Sequence, residues 1–373
     1  MTANPAPMPP SACPALAPEQ LQRALALLDD EWLARDAELA PVLPVVLARG
    51  VGQDWHKAGT FRHHLVGVTR SLRLWQQPRD VCLLGLLHSV YGNAFVDLVK
   101  FDAASERQRL QQLIGPPAEH LVYLFCTISR AQFVQQVLAG QIAADGSLQV
   151  ALHGPEPHAS VRLSAYEVAA FIIVSMADTI EQWFSWQDEV YSRFPGTDTT
   201  RRQAVHWAAS LWPGPMRPSA RMCSQIAALG CALQHPALLG QLPLPPVFDG
   251  CRQPLPARDE AAACALYWSV VQLDQPLVDL DGATATLEQA VQLNPWVGEP
   301  QMVLAQLYLS AGRLPEAARA AEGALQCFCL WGNAWDKRVQ WDAWIAWTRL
   351  LLQRASQGGW PERLDKLNNL ALR

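Results

Sequence analysis

The sequence predicts an all-α protein built in two helical parts. Three observations carry that expectation. Apolar residues recur at three- and four-residue spacing through most of residues 19–241. Beyond residue 258 a second helical pattern repeats with a period of 34 residues. Strand-like alternation is confined to one stretch, residues 138–164.

Residues 1–18 are a Pro/Ala mixture and are expected to be disordered. From Pro18 onward Leu21, Leu25 and Leu28 fall at helical spacing, and Trp32, Leu39 and Leu43 follow it more loosely. Phe61 to Trp75 reads as one helix with Pro78 beyond its end, and Val81 to Val90 as a second with Gly92 just past it. Gln108 to Ile114 and Pro117 to Ser129 add two more. Turn signals at Asp145-Gly146 and Gly154-Pro155 flank "SLQVAL" (147–152), and with "SVRL" (160–163) they predict one small hairpin. Ala165 to Phe184 is a long apolar helix, and a further helical block covers about 200–240. The run "LPLPPVFDGCRQPLPA" (242–257) reads as a linker between the two parts.

In the second part, Ala283 and Ala317 are 34 residues apart, as are Ala290 and Ala324. The clearest copy is "PQMVLAQLYLSAGRLPEAARAAEGALQ" (300–326), with Leu304, Ala305, Tyr308, Gly312, Ala317, Ala321 and Ala324 at packing positions. Small residues let two helices approach closely, and Gly312 permits the turn between them. The preceding copy is good in its second helix, "ATATLEQAVQLNP" (283–295), closed by Pro295. A third unit begins near Gly332 and Trp335, and its long helix would cap the stack. Residues 258–355 thus resemble a tetratricopeptide-type array, followed by a tail at 356–373. The resemblance implies a protein partner or a homo-oligomer held through the array's concave face. Two clear copies are few, so docking against the first part is expected. Five late tryptophans, Trp331, Trp335, Trp341, Trp344 and Trp347, read either as packing between the last repeat and a neighbour or as a binding surface.

Composition narrows the classes. Apolar residues make up 50% of the 373 and charged residues 17%, which excludes a largely disordered chain. The longest apolar runs, such as Ala169 to Ala177, fall well short of the ~20 residues that span a bilayer, so no membrane partner is expected. There is no early Lys/Arg followed by an apolar block, hence no expected signal peptide. A net charge of −5 argues against a nucleic-acid partner held by bulk electrostatics. Nine cysteines without a CxxC pair read as reduced thiols in the cytoplasm. Phosphate-binding loops and serine-hydrolase signatures are absent from the sequence.

The chemistry concentrates in "WHKAGTFRHHLVGVTRSLRLWQQPRDVCLLGLLHSVYGNAF" (55–95) and "VSMADTIEQW" (174–183). A histidine sits near the start of one helix, a second ends "GLLHS" 24 residues later, and an aspartate follows alanine on a later apolar helix. A histidine on an apolar helix is more often a satisfied core residue than a ligand. The order of the three resembles the HD-domain superfamily of helical metal-dependent enzymes over about residues 50–190. The resemblance implies an HD-like helical domain, here 19–241, with His64, His88 and Asp178 as metal ligands. The family's His-Asp doublet reads His88-Ser89 here, which removes a bridging carboxylate and favours one ion over two. Two imidazoles and one carboxylate form the ligand set of open Fe(II) sites, so iron is favoured, with manganese or zinc as alternatives. The expected reaction acts on a small-molecule substrate. Oxygenase-type oxidation is favoured over phosphoester hydrolysis, because Lys57, Arg62, Arg70 and Arg73 do not form an evident phosphate clamp. The alternative is a catalytically degenerate HD scaffold that carries a protein-interaction array.

Other polar residues are candidates around the ions' ligands. His56, Tyr91 and His120 are catalytic candidates: His56 from the preceding loop, Tyr91 just past His88 as a donor to substrate, and His120 as a proton donor behind the ligands. His120 and Glu119 lie at a helix start, where a carboxylate also suits the helix N-terminus. His63 points about 100° from His64 and reads as surface. His153 and His158 read as solvent-exposed. Glu181 and Gln182 share a helix face with Asp178 and are placed to hydrogen-bond a ligand.

Overall fold

The structure, a computed structural model, describes residues 17–29, 31–56, 59–93, 98–153, 159–181, 222–272, 278–332, 334–337, 339–363 and 366–367. Three short helices, α1 (Pro18–Ala26), α2 (Trp32–Arg35) and α3 (Leu43–Leu47), bury Ala24, Leu33 and Val46. A two-residue ladder follows, β1 (Trp55–His56) antiparallel to β2 (Gly59–Thr60), with His56 opposite Gly59. This ladder corrects the expectation of a single hairpin. Two residues a side are too few to leave an alternating pattern in the sequence.

The ladder delivers the chain into α4 (Phe61–Leu74) through a reciprocal cap. The Thr60 hydroxyl accepts from the His63 N–H, and the Thr60 N–H donates to His63 Nδ1 at 3.2 Å. His63 therefore does the work that Glu or Gln does in the usual capping box, on the exposed side. His64, Leu65, Val68 and Leu72 face inward. Helix α5 (Arg79–Leu87) ends just before His88. Helices α6 (Arg107–Ile114), α7 (Pro116–Thr127) and α8 (Arg130–Leu138) precede the expected hairpin, β3 (Leu148–Ala151) with β4 (Ser160–Leu163). The apolar helix α9 (Ala165–Glu181) then crosses the core. It packs on α4, α5 and α10 (Met222–Ala232). The predicted extension of α9 to Phe184, the first part of the 200–240 block, and His158 lie outside the described residues.

Two glycines fix how close these helices come. A Cβ on Gly85 would lie 2.3 Å from Leu72 Cδ1, and one on Gly67 would lie 2.2 Å from the Glu181 carboxyl carbon. Each is too close for a real Cβ, so a larger residue at either position would push the Leu72 methyl or the Glu181 carboxylate aside where α4 meets α5 and α9. His64, His88 and Asp178 are carried by these three segments.

Within the proline-rich stretch, Val247–Cys251 makes a tight turn in which Phe248, Asp249, Gly250 and Cys251 have φ of 50, 53, 61 and 63°. Left-handed backbone is costly for residues with a Cβ. Packing holds it: the Phe248 ring sits edge-on to Trp331 at 5.0 Å and tilted against Trp296 at 5.4 Å.

The second part stacks helices in chain order: α11 (Ala257–Val271), α12 (Leu280–Leu293), α13 (Gly298–Ser310), α14 (Leu314–Trp331) and α15 (Trp341–Ser356). Ala317, Ala321 and Ala324 are fully buried between helices, as the repeat pattern requires. The stack docks on the first part. Trp75 donates its indole N–H to the Leu330 carbonyl at 2.7 Å, and the Glu260 carboxylate accepts the Cys223 and Ser224 N–H groups at the start of α10, each at 2.7 Å. Trp331, Trp335, Trp341 and Trp344 are buried as packing residues, and Trp347 stacks on Trp360 at 6.2 Å. The regular structure of the described residues is thus nearly all helical, with two two-stranded ladders. No helix among them is long and apolar enough to cross a membrane.

Burial also sets the thiol chemistry. It pushes the thiols of Cys82, Cys126, Cys251 and Cys329 up to about 12, and Cys231 is the only described cysteine that is partly exposed. Because the thiolate is the nucleophile, brief iodoacetamide treatment of the native chain at pH 8 should label Cys231 and spare those four. Peptide mapping reads this directly. Labelling of Cys82 or Cys126 before denaturation would contradict their burial.

Candidate metal centre

His64 enters from the first turns of α4, His88 from the residue that caps α5, and Asp178 from the last turn of α9. Their ligand atoms converge. His64 Nε2 lies 3.2 Å from His88 Nε2 and 3.2 Å from Asp178 Oδ1, and His88 Nε2 lies 3.8 Å from the same oxygen. All three residues are buried. Bonds of about 2.0–2.2 Å to a shared ion place donor atoms roughly 3.0–3.5 Å apart, so the triangle fits one ion with little adjustment. Among the described residues this is the only group of three or more His, Cys, Asp or Glu side chains so gathered.

Hydrogen bonds set the protonation states. His88 Nδ1 is 2.8 Å from the Gly85 carbonyl oxygen, which can only accept, so Nδ1 carries the proton and Nε2 presents a lone pair. Tying the far nitrogen to a carbonyl is how metal-binding histidines are commonly oriented. Burial is the largest influence on His88 and pushes it down to about 4, against the opposing pull of Asp178. Burial alone would raise the Asp178 carboxyl. Arg130, then His88 and His64, outweigh it and hold the group well below the usual carboxylate range.

Arg130 is the residue that the sequence did not disclose. It opens α8, bonds Asp178 Oδ2, and lays its guanidinium over the Phe125 ring at 4.5 Å. The Arg bond to Oδ2 leaves Oδ1 facing the two imidazoles. The one sequence signal is its position, since a cation in the first turn of a helix opposes the helix dipole.

The other candidates divide. His56 is brought in: its ring stacks on that of His64, with centroids 4.4 Å apart and planes at 12°. Tyr91 donates instead to Glu119 Oε1 at 2.8 Å. That carboxylate is fully buried and is also held by Arg107 and Gln111, so Glu119 anchors a polar network rather than only a helix end. His120 pairs with Glu167 on the exposed side of α7 at 2.9 Å. His153 is exposed, as expected. The Ser89 hydroxyl accepts from Asn93 Nδ2 at 2.9 Å. Gln182 lies outside the described residues, and Glu181 sits over Gly67 with Arg70 at 3.9 Å.

A cleft of about 610 Å³ opens beside the cluster, with His56 and His64 in its wall together with Arg62, Arg70, Glu181 and Trp341. Tyr91 and His120 do not line it.

Comparison with known proteins gives two partial matches. Residues 45–130 match a family described as a domain of unknown function (DUF6817), a span that holds His64 and His88 but stops short of Asp178. Residues 279–327 match the tetratricopeptide repeat, which covers α12, α13 and most of α14. No curated protein and no solved structure matches the chain. The chain is therefore a mostly helical protein with a tetratricopeptide repeat in its second part and a His-His-Asp cluster able to hold a metal ion in its first.

Proposed function

We propose that the chain is an HD-like, metal-dependent enzyme that holds a single divalent ion through His64, His88 and Asp178 and acts on a small molecule in the adjoining cleft. The convergence of the three ligand atoms at 3.2, 3.2 and 3.8 Å carries this reading. An ion held there would supply Lewis-acid and redox chemistry. Arg130 keeps Asp178 ionised, the Gly85 carbonyl orients His88, and His56 stands at the cleft face to take or give a proton. Iron is the proposed ion and oxidation the proposed chemistry, because the ligand set is two imidazoles and one carboxylate. The tetratricopeptide repeat supports a protein partner for the second part. With an empty and unloadable site, the same fold would serve as a scaffold for that partner.

Elemental analysis of the purified chain tests the reading. About one iron per chain is expected, and manganese or zinc at that level would keep the site but change the chemistry. Ser89→Ala should leave the content unchanged, since its hydroxyl is engaged with Asn93. Metal below about one-tenth per chain after incubation with each ion would remove the enzyme reading. Equal losses from Ser89→Ala and from a ligand substitution would show that Ser89 is itself a ligand.

A further inference from the structure

The cleft beside His64 is not built by the first part alone. Its far wall is the segment that leads from α14 into α15, and this segment contributes Lys337 and Trp341. Trp341 lies under the Arg70 guanidinium at 4.6 Å. Lys337 reaches across to α9 and donates to the Ile180 carbonyl at 2.9 Å.

That bond leaves Lys337 short of partners. An ammonium has three N–H donors, and among the described residues this carbonyl is its one hydrogen-bond acceptor. No described carboxylate lies within ion-pair distance of it. Glu181 and Glu299 act on it only from farther away, Arg70 opposes them, and burial, the largest influence, pushes its pKa down. A half-buried cation without a counter-ion is costly. On the same cleft, Arg62 has a buried Nε with no hydrogen-bond partner. The acids of the lining do not compensate inside. Asp29, Glu31 and Asp342 are exposed at the rim, Asp29 paired with Arg35, and Glu181 is already shared with Arg70.

We propose that the cleft binds a small organic anion and that Lys337, supplied by the second part of the chain, is its anchor, with Arg62 as the second contact. This deepens the proposed function by naming the charge class of the substrate, and it rests on that reading only in treating the cleft as the substrate site. It also gives the stacked helices a role in the site itself. A clamp of this kind is invisible in the residues around His64, because its main cation lies far along the chain.

The test is calorimetric titration of the full-length, metal-loaded chain with inorganic phosphate, benzoate and the neutral benzamide. At least one anion should bind saturably, and benzamide should not. Lys337→Met should weaken that anion by about tenfold or more, the usual worth of a charged hydrogen bond. Lys337→Arg should stay within about threefold, and Arg258→Met, at an exposed site, should have no effect. Metal content should be the same in all four chains. Unchanged anion binding in Lys337→Met, benzamide binding as tight as benzoate, or no saturable binding of either anion would overturn the proposal. If Lys337→Met fails to fold, Arg62→Met decides, with a weakening of about threefold or more expected and none overturning it. A chain that holds no metal yet loses anion binding in Lys337→Met would sustain this inference while removing the metal reading.

Discussion

Replacing His88 with alanine should lower the metal content of the chain from about one ion to background while leaving the fold in place. The ring is 1% exposed and supplies one of only three donors, so its loss leaves two, too few to hold an ion in competition with water. The structural cost is smaller. The substitution leaves the Gly85 carbonyl without its N–H donor and opens a cavity, together about 1–3 kcal/mol, against a stability of roughly 5–15 kcal/mol for a typical domain. Added metal should raise the unfolding temperature of the wild type and not of the variant. His64→Ala should behave alike. Asp178→Asn should lose metal and also destabilise further, because the buried Arg130–Asp178 ion pair is lost. His120→Ala, on the exposed face of α7 with Glu167 of α9 as its partner, should retain metal. Near-normal metal in His88→Ala would show that the ion, if present, lies elsewhere.

Trp75→Ala should be the most destabilising single change at the junction of the two parts, by about 3–5 kcal/mol. The side chain is 1% exposed at the end of α4, and its indole N–H is the donor to the Leu330 carbonyl near the end of α14. Alanine leaves a large cavity and an unpaired buried carbonyl together. Trp75→Phe, which keeps most of the apolar surface and loses only the donor, should cost about 1–2 kcal/mol. Urea titration gives both values. A cost below about 1 kcal/mol for Trp75→Ala would mean that the second part does not rest on this residue.

What the sequence made legible was what periodicity writes strongly. Helices α4, α5 and α7 fall within three residues of their expected ends, α9 starts where expected, the hairpin β3–β4 lies where its turn signals put it, and the alanine recurrence marks the stacked helices. The convergence of His64, His88 and Asp178 was what the resemblance to the HD-domain superfamily implied. Arg130 escaped because a single arginine at a helix start has no spacing to betray it. Tyr91 and Glu119 were read singly, yet each is defined by the other and by Arg107, and pairs 28 and 12 residues apart leave no local pattern. The β1–β2 ladder was too short to alternate. Lys337 lies in a segment without periodicity, and only tertiary docking brings it to Ile180, 157 residues away.

The pairing of Arg130 with Asp178 has an electrostatic consequence. Among the described side chains those two charges offset each other, and imidazoles bind metal in their neutral form, so a divalent ion entering the centre would add two positive charges to it. That surplus adds to the field of Lys337 and Arg62 across the same cleft. If both bind as proposed, ion and organic anion would assist one another, and thermodynamic reciprocity makes the assistance mutual: whatever factor by which the metal tightens the anion, the anion tightens the metal. On the proposed function, the centre would retain its ion most firmly while a charged ligand occupies the cleft.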